Sequence, residues 1–270
     1  MYSEQQTTDT YNTLLNGRWH TGIRPNTVGQ LAVEQELIML SSMNSDSVVL
    51  DFGCGPGLVT HDYWAMTGAR VFGVTNQPSQ IRLGQSLGHT DGGIGQSRVQ
   101  YVLINDLILP FPDDYFDIIV STEALCHIIG QDKVVLFNEF RRVLKPAGKL
   151  VYQDWAMSRT GCLDACARSI IEDTYHVKLQ SLGQQKRVLT KNGFNVTATR
   201  KVYPQWNVGL GRTALDYFAL KGLKLRYPHL YTECPFPPAG PVSESLLEAG
   251  RVLQESPDFY IVFICGEMAI

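Results

Sequence analysis

Three glycines at alternate positions follow an aspartate at the end of an apolar run, and this spacing suits ligand binding. The stretch VVLDFGCGPGLVT begins at Val48, and its turn holds Asp51, Gly53, Gly55 and Gly57. Glycine adopts positive φ at no steric cost and lets a ligand approach the backbone closely, and the Asp51 carboxylate can accept hydrogen bonds or face the cationic part of a ligand. Because the spacing is tighter than the G-x-G-x-x-G of dinucleotide-binding turns, it favours a ligand that brings no phosphate to the turn. The alternative is an ordinary glycine-rich loop between a strand and a helix.

A glutamate and a histidine form the second group of side chains that could do chemistry. Glu123 and His127 follow the apolar run FDIIVST, which ends at Thr122. Ligands of open α/β sheets bind at the carboxyl ends of strands, and residues four apart on a helical turn share one face. We therefore expect Glu123 to act as a base or cation stabiliser, with His127 as its proton relay or orienting partner. The alternatives are a contact of Glu123 with a cofactor or the backbone, and a buried structural role for His127.

Strand and helix patterns alternate from residue 26 to about residue 202, which indicates an α/β fold with a parallel sheet. The predicted strands span residues 47–52, 70–75, 99–104, 116–122, 149–154, 194–202 and 259–266. Helices are predicted over residues 27–43 and 58–67, from 78 onward, over about 163–177, and up to 192. A further helix is expected to begin at a cap on Asp132 and to stop before Pro146 and Gly148.

The length of 270 residues fits one domain with additions around a central core. We expect an N-terminal helical lid over residues 1–43, a cofactor-binding core over 44–202, a cap insertion over 203–257 and a last strand over 258–270. The cap is indicated by the proline-rich stretch YPHLYTECPFPPAGP between helical patterns.

Composition excludes several classes of protein. The net charge of −3 provides no basic field for nucleic acid, and no apolar run approaches the ~20 residues of a membrane span. The polar N-terminus lacks an apolar signal region, so we expect a cytoplasmic protein. The six cysteines form no C-x-x-C pair, and no metal is expected. The expected partner is a small-molecule substrate, and a homodimer stays open.

Four motifs in order resemble the class I S-adenosylmethionine (SAM)-dependent methyltransferases, over about residues 45–202. VLDFGCGPG resembles their first motif, and INDLILPFPDDYFDIIV resembles the segment that meets the adenine. NEFRRVLKPAGKL resembles the helix and turn before strand five, and LTKNGFNV resembles the approach to strand six. The resemblance implies a Rossmann-like fold whose seven-stranded sheet is mostly parallel, with an antiparallel last strand and helical cap insertions. It also implies SAM as the cofactor and S-adenosylhomocysteine as its product.

The same resemblance implies which residues hold the cofactor. Strand two of this superfamily usually ends in an acid that accepts both ribose hydroxyls, whereas this chain has the neutral Thr75 and Asn76 there. Gln80, one helical turn later, resembles the ribose partner of one branch, and neutral groups hold hydroxyls less strongly than a carboxylate does. The implied cofactor-binding residues are Asp51, Gly53, Gly55, Gly57, Thr75, Asn76, Gln80, Asp106 and Leu107.

Three shorter motifs resemble the branch of sterol, tocopherol and prenyl-type C-methyltransferases. TEALCHI is similar to the E-A-T-C-H segment of sterol methyltransferases, YQDW resembles their aromatic-acid-Trp at strand five, and RWHTG resembles their upstream histidine-glycine segment. The tyrosine- and glycine-rich N-terminal motif of the sterol enzymes is not evident. The resemblance implies methylation of carbon in a small olefinic, isoprenoid metabolite of specialised metabolism, with a prenyl diphosphate as one option.

Aromatic and basic side chains are the expected substrate contacts. Aromatic faces stabilise cations, and basic groups hold an anionic head group such as a diphosphate. The expected substrate residues are Trp19, His20, Trp155, Arg168 and Tyr175. Two other functions stay open: N- or O-methylation of another metabolite, and a SAM-binding cyclase or sensor that transfers no methyl group.

Overall fold

The computed structural model of the chain describes residues 27–86, 97–158, 165–202 and 259–269. Its strands are β1 (Val48–Phe52), β2 (Arg70–Thr75), β3 (Val99–Leu103), β4 (Phe116–Thr122), β5 (Leu144–Met157), β6 (Phe194–Val202) and β7 (Phe259–Met268). Its helices are α1 (Thr27–Ser41), α2 (Leu58–Thr67), α3 (Pro78–Ser86), α4 (Gly130–Val143), α5 (Ala165–Tyr175) and α6 (Leu182–Lys191), with a 3₁₀ turn over Leu125–His127. None of the helices in these ranges is long and apolar enough to cross a membrane.

The strands form one seven-stranded sheet in the order β3-β2-β1-β4-β5-β7-β6. Strands β1 to β5 run parallel, and β7 runs antiparallel to both β5 and β6. The predicted sheet with an antiparallel last strand is therefore confirmed. Because all parallel carboxyl ends meet at one edge, the polar turns that follow them come together there.

Two apolar cores cover the two faces of the sheet. On one face, α4 and α6 bury Leu136, Phe140 and Leu189 against the strands. On the other face, α1 and α2 bury Val33 and Tyr63 against them. Strands covered on both faces explain the near-continuous apolar runs in the sequence.

Helix α1 packs on the sheet. Val33 and Leu37, four residues apart, are fully buried in the core that contains strand residues Val151 and Phe263. The apolar stripe of α1 is therefore buried against the sheet, and the lid over residues 1–43 stays a prediction. Residues 1–26 and the predicted cap insertion over 203–257 lie outside the described residues.

Helix α4 and strand β5 both begin at residues that differ from the predicted ones. Helix α4 begins at Gly130 with Ile129 as its N-cap, so Asp132 lies in the first turn and does not cap the helix. Strand β5 begins at Leu144, directly after α4, and its pairing with β4 shifts before Lys149. The proline and the glycine that were expected to end the helix lie in this irregularity, where a strand can tolerate them.

Arg142 ties the connection between β3 and β4 to α4. Its guanidinium donates to Glu139 at 2.7 and 2.9 Å and to Asp113 at 2.8 Å. It also donates to the backbone carbonyls of Leu109 and Phe111, both at 2.8 Å. The Arg142 guanidinium holds the pKa of the Glu139 carboxyl below its usual value. These bonds fix the connection that carries the expected adenine contact.

Replacing Arg142 with lysine is expected to destabilise the protein by about 2 kcal/mol, because one ammonium cannot reproduce this fork of bonds. Urea unfolding measures the loss, and hydrogen exchange of the amides that follow β3 should become faster. The exposed neighbour Arg141, changed to lysine, is the control and should shift the free energy of unfolding by less than about 0.5 kcal/mol. Equal stability of the two variants would contradict the assigned role.

Candidate functional site

The glycine turn after β1 has the backbone that its sequence predicts. Gly53, Gly55 and Gly57 have φ values of 76°, 55° and 88°, all in the left-handed region. The amides of Gly53 and Cys54 both donate to the carbonyl of Val74 at 3.0 Å. The turn is therefore folded back onto the carboxyl end of β2.

The three glycines serve different neighbours. A Cβ atom on Gly53 would lie 2.4 Å from the Cβ of Ala124, and one on Gly57 would lie 2.4 Å from a ring carbon of Tyr101. Tyr101 also donates from its hydroxyl to the Gly57 carbonyl at 2.7 Å. A Cβ on Gly55 would meet no atom within 4 Å. Gly53 and Gly57 thus permit close packing within the protein, whereas Gly55 leaves a bare backbone cradle.

Asp51 lies beneath this turn and is 2% exposed. Thr60, in the first turn of α2, donates to its carboxylate at 2.6 Å. Burial raises the pKa of the Cys54 thiol and of the Tyr63 hydroxyl, and the negative charge of Asp51 raises both further. The edge of the sheet at β1 is therefore an environment that favours a positively charged group.

The expected ribose partners meet at the end of β2. Thr75 donates from its hydroxyl to the side-chain oxygen of Gln80 at 2.6 Å, and Asn76 is exposed beside them. The Thr75 carbonyl accepts from the amide of Ile104 at 3.0 Å, which joins the ends of β2 and β3. The structure thus brings the neutral groups of β2 next to the glycine turn.

The expected adenine contact follows β3. Asp106 is exposed, and its carboxylate accepts from the amide of Ile108 at 2.8 Å. Leu107 is buried in the apolar core. The acid is therefore held in a short local turn, with the next residue anchored below it.

Glu123 stands directly after β4 in a strained conformation. Its φ of 50° lies in the left-handed region, which costs a residue with a Cβ atom on the order of 1 kcal/mol. Its amide donates to the carbonyl of Gln153 at 2.9 Å, and its carboxylate accepts from the Gln153 side-chain amide at 3.0 Å. The next residue, Ala124, contacts Gly53. Glu123 is thus joined both to β5 and to the glycine turn.

The ring of His127 is bonded to the turn that follows α5. Its Nδ1 lies 2.8 Å from the backbone carbonyl of His176, and because a carbonyl only accepts, Nδ1 carries the proton. Burial lowers the pKa of His127 to about 4, so the ring is neutral at pH 7. The 3₁₀ turn begins at Leu125, after Glu123, and a hydrogen bond with the backbone of Glu123 partly offsets the lowering of the His127 pKa. The relay role of His127 stays a prediction.

An aromatic group follows along β5. Trp155 packs edge to face against Tyr175 and Phe259, with ring centroids 5.0 and 5.6 Å apart. Arg168 donates to the Glu172 carboxylate at 3.2 Å. It also donates to the Leu179 carbonyl and to the Met157 sulfur, both at 3.2 Å. The other two expected substrate residues, Trp19 and His20, lie outside the described residues.

Two residues of β5 that were not predicted belong to the site's surroundings. Gln153 contacts Glu123, and Asp154, 2% exposed, accepts from the amide of Trp155 at 2.8 Å. Burial raises the pKa of Asp154 to about 6, and the charge of Lys133 opposes this rise. Side chains alternate between the two faces of a strand. This alternation is a signal in the sequence that places Gln153 and Asp154 on opposite faces of the sheet.

The comparisons with known proteins agree with this geometry. Residues 50–152 match the family model described as a methyltransferase domain. The sterol 24-C-methyltransferase of Eremothecium gossypii is 34% identical over 125 residues, which are 46% of this chain and 32% of that protein. The 2-methyl-6-phytyl-1,4-hydroquinone methyltransferase of a Synechocystis strain is 34% identical over 120 residues, or 43% of this chain and 34% of that protein. The match thus spans about a third of each of these two relatives.

A solved structure has the same fold. The geranyl diphosphate C-methyltransferase from Streptomyces coelicolor, in complex with Mg²⁺, geranyl diphosphate and S-adenosylhomocysteine, aligns with a TM-score of 0.68. The alignment covers 99% of both chains at 17% identity. The fold predicted for the chain is therefore confirmed, and the two relatives above confirm its resemblance to methyltransferases of the sterol and tocopherol type.

Replacing Gly55 with alanine is expected to weaken binding of S-adenosylhomocysteine by more than about tenfold, because the new methyl group would fill the cradle. Calorimetry measures the affinity. Gly130, with a φ of 58° and no atom within 4 Å of an added Cβ, is the matched control. Both alanine variants should lose about 1 kcal/mol of stability through backbone strain, whereas only the first should lose affinity. Equal affinities would show that the cradle is not the cofactor site.

His127 and Asp154 are expected to change stability in opposite directions between pH 6.5 and pH 4. The unfolded chain protonates His127 first, so this group destabilises the fold as the pH falls. The folded chain protonates Asp154 first, so that group stabilises the fold as the pH falls. Each contribution is on the order of 2–3 kcal/mol.

Urea unfolding of Asp154→Asn and His127→Gln at several pH values separates these contributions. On acidification, Asp154→Asn should lose stability more steeply than the wild type. His127→Gln should instead gain stability relative to the wild type. Parallel curves for all three proteins would disprove the assigned shifts.

Proposed function

We propose that this chain transfers a methyl group from SAM to a carbon atom of a small olefinic, isoprenoid metabolite. The observation that carries the proposal is the position of Glu123 directly after β4, where its carboxylate accepts from Gln153 and the next residue, Ala124, contacts Gly53 of the glycine turn. The methyltransferase domain and the sterol and phytyl-hydroquinone methyltransferases among its relatives support the same chemistry.

The residues at the carboxyl edge of the sheet suit SAM. Gly55 offers bare backbone to the ligand, and the buried Asp51 favours a cation. Thr75 and Gln80 offer neutral oxygen and nitrogen atoms to hydroxyls, and Asp106 offers an acceptor to an amino group. When bound, SAM supplies an electrophilic methyl group on a sulfonium.

The chain's own side chains would do three things in this reaction. Alignment of an acceptor carbon with the methyl group is worth roughly 7–11 kcal/mol without any acid or base. A methylated alkene becomes a carbocation, which the aromatic faces of Trp155 and Tyr175 would stabilise. Glu123 would stabilise the same charge and then accept the proton that the cation loses. His127, neutral and bonded to the backbone, would orient this segment or relay that proton.

A prenyl diphosphate is one form that the acceptor could take. Arg168 is the described basic residue proposed for its head group, and its guanidinium would have to exchange its bond with Glu172 for the phosphate. The solved geranyl diphosphate enzyme was crystallised with Mg²⁺. We still expect this chain to need no metal, and assays with and without Mg²⁺ test that expectation.

The assay uses the full chain, labelled SAM and a set of acceptors. These are geranyl diphosphate, geraniol, a sterol with a side-chain alkene, a phenol and an amine, with products identified by mass spectrometry. Transfer to an alkene carbon supports the proposal. Transfer only to oxygen or nitrogen supports the second methyltransferase function, and SAM binding without any S-adenosylhomocysteine supports a cyclase or sensor.

Glu123→Gln is expected to lower turnover of the accepted alkene by about 10²- to 10⁴-fold, because the base and the negative charge are both lost. Affinity for S-adenosylhomocysteine should change less than about threefold. Glu267→Gln, a matched change opposite Lys149 at the other edge of the sheet, should leave turnover unchanged. Full turnover in Glu123→Gln would remove this residue from the mechanism.

A further inference from the structure

We propose that Gln153 is a positioning residue that holds the carboxylate of Glu123 in one orientation for the reaction. The inference deepens the proposed function and rests on it for the role of Glu123. It assigns a role in the reaction to the contacts of β5 with the segment after β4.

Gln153 makes two hydrogen bonds with Glu123. Its backbone carbonyl accepts from the Glu123 amide at 2.9 Å, and its side-chain amide donates to the Glu123 carboxylate at 3.0 Å. Gln153 is 1% exposed and pairs with Thr122, the last residue of β4. Because both bonds come from one residue of a central strand, backbone and carboxylate of Glu123 are set together.

The chemistry of the amide fixes which way it faces. A carboxylate only accepts hydrogen bonds, so the Gln153 nitrogen must turn toward Glu123. The Gln153 side-chain oxygen is buried and has no hydrogen-bond partner among the described residues. A buried oxygen of this kind destabilises the fold, and an apolar side chain would avoid that cost. The gain that offsets this cost within the described structure is the bond to Glu123.

The strain at Glu123 makes such a hold necessary. A left-handed residue with a Cβ atom returns to common φ values unless its neighbours prevent it. Ala124 against Gly53 and the bond to the Gln153 carbonyl prevent it here. The side chain of Glu123 still has three rotatable bonds, and the amide of Gln153 selects among them.

A glutamine suits this position better than an acid would. The next residue, Asp154, lies on the opposite face of β5 with Lys133 and Cys126. A second carboxylate at position 153 would stand directly beside Glu123 and repel it. The neutral amide supplies the donor without this repulsion.

The first experiment reads the orientation of Glu123 without any acceptor. Protein labelled with ¹³C at the glutamate carboxyls has one resonance that disappears in Glu123→Gln and is thereby assigned. In Gln153→Met this resonance should shift or broaden, because the bond is gone and several orientations exchange. In the control Gln185→Met it should stay in place. Gln185 is likewise buried, with an unpartnered oxygen among the described residues, but it donates to the Trp155 carbonyl at 3.0 Å.

The second experiment uses the alkene acceptor. Gln153→Met should lower kcat by about 10- to 100-fold with KM within about threefold, because a misplaced group costs chemistry more than binding. In the Glu123→Gln background, Gln153→Met should cause little further loss, since it acts through the missing carboxylate. Gln185→Met should instead have the same effect in both backgrounds. Gln153→Asn, with a shorter amide, should recover less than full kcat.

The outcomes separate the two proposals. An unmoved Glu123 resonance in Gln153→Met, or full additivity with Glu123→Gln, would overturn the role of Gln153. If the Glu123 resonance moves in Gln153→Met but no acceptor is methylated, the positioning of Glu123 by Gln153 is supported and the proposed function is rejected.

Discussion

The parallel pairing of β1 with β2 and with β4 is the constraint on which the site depends. Asp51 lies opposite Gly73 on one side and Val120 on the other. Because these strands run in one direction, their polar turns leave the sheet at one edge. Bonds across that edge then join the turns, including that from the Ser121 hydroxyl to the Phe52 carbonyl at 3.0 Å. Backbone pairing therefore brings these turns to one edge, and side-chain bonds then join them.

Backbone conformation links the glycine turn to Glu123, the expected base. The glycines adopt left-handed φ freely, whereas Glu123 adopts it at a cost. The absence of a Cβ on Gly53 is what lets Ala124 approach, and this contact helps to keep Glu123 strained. Changes in the glycine turn should thus reach Glu123 through packing as well as through the ligand. The glycine turn and Glu123 are therefore coupled through direct packing.

Buried titratable groups give this edge of the sheet its electrostatic character. His127 is kept neutral by burial, and Asp51 remains next to the turn as a buried acid. Asp154 and Lys133 face the opposite side of β5, where burial also shifts the pKa of each toward its neutral form. Among the described residues, Asp51 and Glu123 bring two acids to this edge, and acids suit a reaction that passes through positive charge.

The sequence by itself determined the sheet, the glycine turn and the positions of Asp51, Asp106 and Glu123. Those features depend on apolar periodicity and on the backbone freedom of glycine, which are properties of short stretches of chain. Only the tertiary structure decided that α1 covers the sheet, that Gln153 holds Glu123, and that His127 bonds to a different element. These facts depend on strand register and on which surfaces meet, and such contacts join residues that are distant along the chain.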